Sequence, residues 1–166
     1  MKASIFILLL FGLMACNTRQ SSMADKQNIP VEKQAIPDFK VALQFINEYA
    51  AFCKLEIEQK SSDTNWIQRN LLLTDKFKTL YKSILDSAFK ADPELGLDFD
   101  PIFDAQDFPD KGFSILKTDT LEKYVTVNGN DWKDFELVLK LAFVNNKWLV
   151  DGAGVINIPN NRQAKR

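Results

Sequence analysis

Apolar residues follow three successive rhythms along this chain. Behind Met1 and Lys2 comes an almost unbroken apolar run, Ile5 to Met14, and then a polar stretch from Asn17 to about Ala35 with no apolar period. Phe39, Ala42, Leu43, Ile46, Tyr49, Ala50, Cys53 and Ile57 then recur at helical spacing and predict one long amphipathic helix over about 37–59. Pro37 suits its first position. Ser61-Ser62-Asp63-Thr64 breaks the pattern and supplies candidate N-caps for a short helix through Trp66 and Ile67. After Thr74 a third helical stripe runs through Phe77, Leu80, Tyr81, Ile84, Leu85, Ala88 and Phe89, and Asp92-Pro93 is expected to stop it.

From Phe113 the period changes to two. Strands are expected near 113–118 and 122–128, with a turn beginning at Asn128-Gly129, and the clearest alternation is Phe135, Leu137, Leu139, Leu141 and Phe143. Asn145-Asn146 tolerates the positive φ of a tight hairpin turn. That hairpin sets Phe143 opposite Trp148, Leu141 opposite Val150 and Lys140 opposite Asp151, so apolar meets apolar and opposite charges meet. Gly152 and Gly154 point to a bulge or sharp bend in the last strand. Three helices followed by about four antiparallel strands define an α+β class, with helices on one face of a curved sheet. The expected core joins Phe77, Leu80, Ile84, Phe135, Leu137, Leu139, Leu141 and Trp148.

The N-terminal run is too short to span a bilayer, which takes about 20 apolar residues, and behind one positive charge it has the form of a secretory signal. Its end, Leu13-Met14-Ala15-Cys16, resembles the lipobox of bacterial lipoproteins. The resemblance implies cleavage before Cys16 and acylation of that residue. An ordinary signal followed by an incidental Cys is the plainer alternative. Asn17, rather than Asp, after the Cys implies outer-membrane sorting by likeness to the rule of enteric bacteria. The organisation that follows is a signal peptide over 1–15, a lipidated Cys and flexible tether over 16–36, one domain over 37–159 and a basic tail over 160–166. The tail's Arg162, Lys165 and Arg166 read as solvated.

Loss of the signal removes Lys2, leaving one basic residue fewer than the 21 Lys+Arg of the full chain against 22 Asp+Glu. No basic stripe suggests nucleic acid. With Cys16 acylated, Cys53 has no partner for an intramolecular disulfide, and its place on a helical apolar face reads as a small buried hydrophobe. The chain contains no histidine. That removes Ser-His-Asp and Cys-His activation and His-ligated zinc, so an enzyme here would need carboxylates, Lys or Tyr. Neither a cofactor nor a metal is expected.

Between the helices and the strands lies Leu97 to Asp110, with five aspartates interleaved with aromatics. As a calcium loop it fails, because Phe103 stands where the turn glycine belongs and no glutamate falls at the twelfth position. A catalytic pair of Asp104 and Asp107 is conceivable, but caps, turns and aromatic anchors are the simpler use of such residues. Asp107 is expected to lie fixed between Phe103 and Phe108. Asp100-Pro101-Ile102-Phe103, Ala105-Gln106-Asp107 and Lys147-Trp148-Leu149-Val150-Asp151 resemble the bacterial family known as domain of unknown function 3828, over roughly residues 38–158. The resemblance implies a cystatin-like, nuclear-transport-factor-2-like cone and no particular activity. Candidate ligand contacts are Gln106 and Asp107, expected near the mouth of any enclosed pocket, together with Tyr81 and Trp148. A binding or interaction module of the cell envelope is the leading expectation, its partners the membrane through the anchor and an envelope protein or small ligand. A small hydrolase or isomerase using a pocket carboxylate is the alternative, as is an immunity-type inhibitor of a secreted toxin.

Overall fold

The computed structural model describes residues 35–59 and 65–165. Helix α1 (Lys40–Gln59) is opened by Asp38, whose Oδ1 accepts from the Lys40 amide at 3.1 Å. The helix therefore starts later than the expected Pro37, because the Asp38 side chain supplies the acceptor that a first turn requires. The candidate caps at 61–64 lie outside the described residues. Helix α2 (Trp66–Arg69) is a single turn. Helix α3 (Asp75–Ala91) begins where expected, with Thr74 Oγ1 accepting from the Phe77 amide at 3.1 Å, and it ends at the Asp92-Pro93 step. No helix among the described residues is long and apolar enough to cross a membrane.

Strands β1 (Phe113–Asp119), β2 (Tyr124–Gly129), β3 (Glu136–Val144) and β4 (Lys147–Ala153) form one open antiparallel sheet in the order β1-β2-β3-β4. The architecture is α+β. The cross-strand pairs Val125↔Leu139 and Val127↔Leu137 turn toward the helices and are buried, whereas Tyr124↔Lys140, Thr126↔Val138 and Asn128↔Glu136 turn away. Phe45, Ile46 and Phe77 from the helices close the core over the first set, in edge-to-face contact between Phe45 and Phe77 at 5.8 Å. Of the expected core, Phe77, Phe135, Leu137, Leu139 and Leu141 are buried, and Leu80, Ile84 and Trp148 pack against its margin.

Asn145 and Asn146 both adopt positive φ, 50° and 61°, and make the tight hairpin. Phe143↔Trp148 and Leu141↔Val150 pair as expected, but Lys140 faces Gly152 rather than Asp151. A β-bulge at Asp151 accounts for the difference, since one unopposed residue shifts the partner by one and turns the Asp151 side chain inward. There its Oδ1 accepts from Thr74 Oγ1 at 2.9 Å and its Oδ2 from Asn157 Nδ2 at 2.6 Å. Beyond the bulge the chain bends sharply, with reciprocal Ala153 and Ile156 backbone bonds of 3.0 and 2.9 Å. Gly154, at φ +57°, passes so close to the Ile102 carbonyl that a Cβ would collide with it. The expected bulge and bend at Gly152 and Gly154 are thus both present.

The outer edge of β4 is covered by the α2–α3 connector, with Val150 N donating to Leu72 O at 2.8 Å and Thr74 N to Val150 O at 3.0 Å. The β1 edge carries its own irregularity between Ile115 and Lys117, a feature that discourages strand addition. In urea unfolding, Leu139→Ala is expected to cost about 2–5 kcal/mol. Asp151→Ala should cost about 2–4 kcal/mol, because it leaves the Thr74 hydroxyl without its acceptor and the Asn157 amide with only the Asp151 carbonyl. Lys140→Ala should stay within about 0.5 kcal/mol, and a loss as large as that of Asp151→Ala would restore the ion-paired register.

Candidate functional site

The acidic and aromatic segment folds around Asp100. Its Oδ1 accepts from the amides of Ile102 and Phe103 at 2.8 and 2.9 Å, a local turn that the intervening Pro101 pre-sets. The chain then reverses at Asp104, held at φ +55°, and closes through Asp104 N to Asp100 O at 2.7 Å and Asp100 N to Ala105 O at 2.9 Å. The remaining carboxylate oxygen, Oδ2, accepts from the Tyr49 hydroxyl at 2.5 Å, linking the loop to α1.

Tyr49 is the junction of a larger cluster, in which Cys53 and Tyr81 share the surroundings of the Tyr49–Asp100 pair and feel its charge. Burial lifts Asp100 above the ordinary carboxylate range, and its three donors pull it part of the way back. Burial first and the Asp100 charge second push both Cys53 and Tyr81 up to about 12. The same two causes hold Tyr49 well above its usual value. Cys53 is consequently a thiol at neutral pH, not the thiolate that nucleophilic chemistry requires. The cluster joins α1, α3 and the loop, and its carboxylate spends both oxygens on fixed donors.

The residues singled out from the sequence are dispersed around this knot. Gln106 and Asp107 are both exposed on the loop's outer side. The expected position of Asp107 between Phe103 and Phe108 is not available, because those rings stack on each other at 4.6 Å with planes 13° apart. Asp100 is the carboxylate that the segment buries. Tyr81 belongs to the cluster, whereas Trp148 sits in the β3–β4 hairpin against Phe143 at 5.0 Å. Asp104 is half-buried and serves the chain reversal, so it and the exposed Asp107 take different places in the loop. Cys16 lies outside the described residues.

A second feature, absent from the sequence reading, occupies the sheet face turned away from the helices. The C-terminal segment crosses that face with a single 3-10 turn, Asn160–Arg162, tied down by Gln163 Nε2 to Ile158 O at 3.1 Å. Beneath it two cavities of about 400 and 470 Å³ share Thr126, Val138 and Arg162 as walls and together form one trough. Lys117 and Asp119 line one end, and Asp134, Glu136 and Lys165 the other. Arg162, read from the sequence as solvated, divides the trough. Its Cζ stands 4.6 Å over the Tyr124 ring centroid, and its guanidinium nitrogens lie 3.5 Å from Asp119 and 3.8 Å from Glu122. Lys140 reaches the same ring at 5.7 Å. The Glu122 amide, and then the Arg162 charge, hold the Asp119 carboxyl below the usual range. Nothing in the periodicity of the tail foretells this packing; an aromatic at position 124 facing away from the core is its one local signal.

Both signs of charge, two hydroxyl-bearing side chains and an apolar Val138 floor make the trough suited to holding a ligand by ion pairs and hydrogen bonds. Among the described residues no group of three or more His, Cys, Asp or Glu is placed to hold a metal ion. Compared with models of known protein families, with curated proteins and with solved structures, the chain finds no match.

Asp100 generates a pH prediction. Its folded pKa is raised, so its contribution to stability is fully present below the unfolded carboxylate pKa and is lost as pH rises through the folded value. Asp100→Asn keeps the Oδ1 acceptor and carries no charge. Its stability should therefore match that of the parent chain more poorly at acid pH and gain on it as pH rises toward neutral, in urea titrations at each pH. A difference that does not change with pH would remove the buried charge from the account. Separately, Cys53 should resist Ellman's reagent at pH 8 until the protein is unfolded.

Proposed function

We propose that this chain is a lipid-anchored, non-enzymatic binding module of the bacterial cell envelope, and that the trough on the outer face of its sheet is where a ligand or partner is held. The observation that carries the binding site is the pair of adjoining cavities on a face left free of helices and walled by Arg162, Thr126 and Val138. Its mixture of polar, charged and apolar walls suits recognition. The envelope address rests on Leu13-Met14-Ala15-Cys16, with Asn17 favouring the outer membrane. The resemblance to the domain of unknown function 3828 family implies a cystatin-like, nuclear-transport-factor-2-like cone, a superfamily of enzymes, ligand binders and interaction modules alike, so the trough and not the fold carries the reading.

A hydrolase or isomerase would need a carboxylate free to move a proton in an apolar pocket. Asp100 is the buried carboxylate of the distinctive segment, and three donors already fill it. An immunity-type inhibitor would use the same anchor and the same surface, and is the protein-partner form of this reading.

Two measurements test the proposal. Palmitate labelling and fractionation should place the parent chain with membranes, and Cys16→Ser should abolish labelling and leave the protein unprocessed or released. A photo-cross-linking residue replacing Thr126 should yield adducts in living cells that the same residue at Lys82, on the outer side of α3, does not. Equal adducts from both positions would remove the trough as the binding surface.

A further inference from the structure

Ala35 to Pro37, the described residues nearest Cys16 along the chain, lie against the β1–β2 connection. Ala35, Ile36 and Pro37 form one wall and Thr120, Leu121 and Lys123 the other of a shallow groove of about 160 Å³. Ile36 and Leu121 are 83% and 84% exposed, so two large apolar side chains project from the two walls of one groove. The turn itself does not need Leu121. It is fixed by Asp119 Oδ1, which accepts from the Glu122 amide at 3.0 Å, and by Lys123 at φ +64°.

We propose that this end of the domain rests on the lipid surface, with Ile36 and Leu121 entering the boundary between headgroups and acyl chains and Lys123 meeting headgroup phosphates. The inference builds on the acylation of Cys16. Only residues 17–34 separate that anchor from Ala35. A random coil of that many residues averages roughly 25 Å end to end, less than the diameter of roughly 35 Å expected of a domain this size. Ala35 is the described residue next to the anchor along the chain, so with Cys16 acylated its groove is the part of the domain held closest to the bilayer, at an effective concentration in the millimolar range. At such a concentration a small apolar contact with one cation beside it suffices as a second membrane signal beside the acyl chains. Leu71 is equally exposed, at 87%, but it lies on the connector along β4, at the opposite edge of the sheet from β1. It serves as the internal control.

The test uses full-length acylated protein carrying Leu121→Cys or, separately, Leu71→Cys, each labelled with an environment-sensitive fluorophore and reconstituted into phosphatidylethanolamine and phosphatidylglycerol vesicles with brominated acyl chains. Cys53 is half-buried, and the parent chain carried through the same labelling measures any contribution from it. The probe at 121 should lose about half its emission to the brominated chains while that at 71 keeps its own, as expected of shallow insertion confined to one end. Ile36→Asp in the Leu121→Cys background should restore the emission. Equal quenching at both positions, or none at either in protein shown to be acylated, overturns the docking and leaves the anchor standing. Protein that carries no acyl chain and stays in solution overturns the anchor and the docking with it.

Discussion

The relay from Thr74 through Asp151 to Asn157 is the constraint on which the join between helices and sheet depends. A carboxylate in the core is costly unless donors meet it, and Asp151 is met on both oxygens, by Thr74 at 2.9 Å and Asn157 at 2.6 Å. The same Thr74 hydroxyl accepts from Phe77 and so starts α3. One residue thereby sets the position of a helix N-terminus against the last strand. Because Asp151 is the extra residue of a bulge, the relay also fixes the register of β4 beyond it, and with it the bend that brings Gly154 against the Ile102 carbonyl. The loop that buries Asp100 rests on that approach.

Apolar packing alone would leave α1 free to slide along the sheet, since any of several ridges could fill the same grooves. Directional bonds remove that freedom. The Asn47 amide makes two bonds to the backbone of Phe113, accepting from its N–H at 2.8 Å and donating to its carbonyl at 3.2 Å, as a neighbouring strand would. Gly112 is needed there, because a Cβ would collide with the Asn47 oxygen. Two residues further along α1, Tyr49 reaches Asp100. Between these pins run stacked and tilted rings from Tyr49 through Phe103 to Phe113, at 5.0 and 6.0 Å. No buried side-chain polar atom among the described residues lacks a partner, so the pins are consistent with a tightly satisfied core.

Much of this was legible in the order of residues, and what was not has physical reasons. Periodicity located the helices and strands, and Asn145-Asn146 located the hairpin, because local sterics and one buried face decide those features. The pairing of Lys140 with Asp151 was misread, since a single inserted residue leaves the composition of a strand unchanged while reversing where its side chain points. Asp107 and Asp100 sit in equally acidic, aromatic surroundings along the chain. Only the distant Tyr49 hydroxyl and the turn at Pro101 distinguish the buried one. The role of Arg162 was hidden for a related reason: a tail without period carries no signal until an aromatic face on another strand receives it.

The turn at 119–123 stands where the two proposed contacts of this protein meet. Its acidic residues, Asp119 and Glu122, hold Arg162 over Tyr124 and so keep the trough divided. These ion pairs are half-exposed and individually weak, so the division of the trough depends on the turn keeping its shape more than on the charges themselves. Leu121 of the same turn is exposed in the groove it shares with Ile36. In the proposed reading, a bilayer that takes up Leu121 touches the same five residues that seat the strap. On that proposal the mouth of the trough at Lys117 and Asp119 lies beside the membrane rather than remote from it, which favours ligands presented at or near the lipid surface.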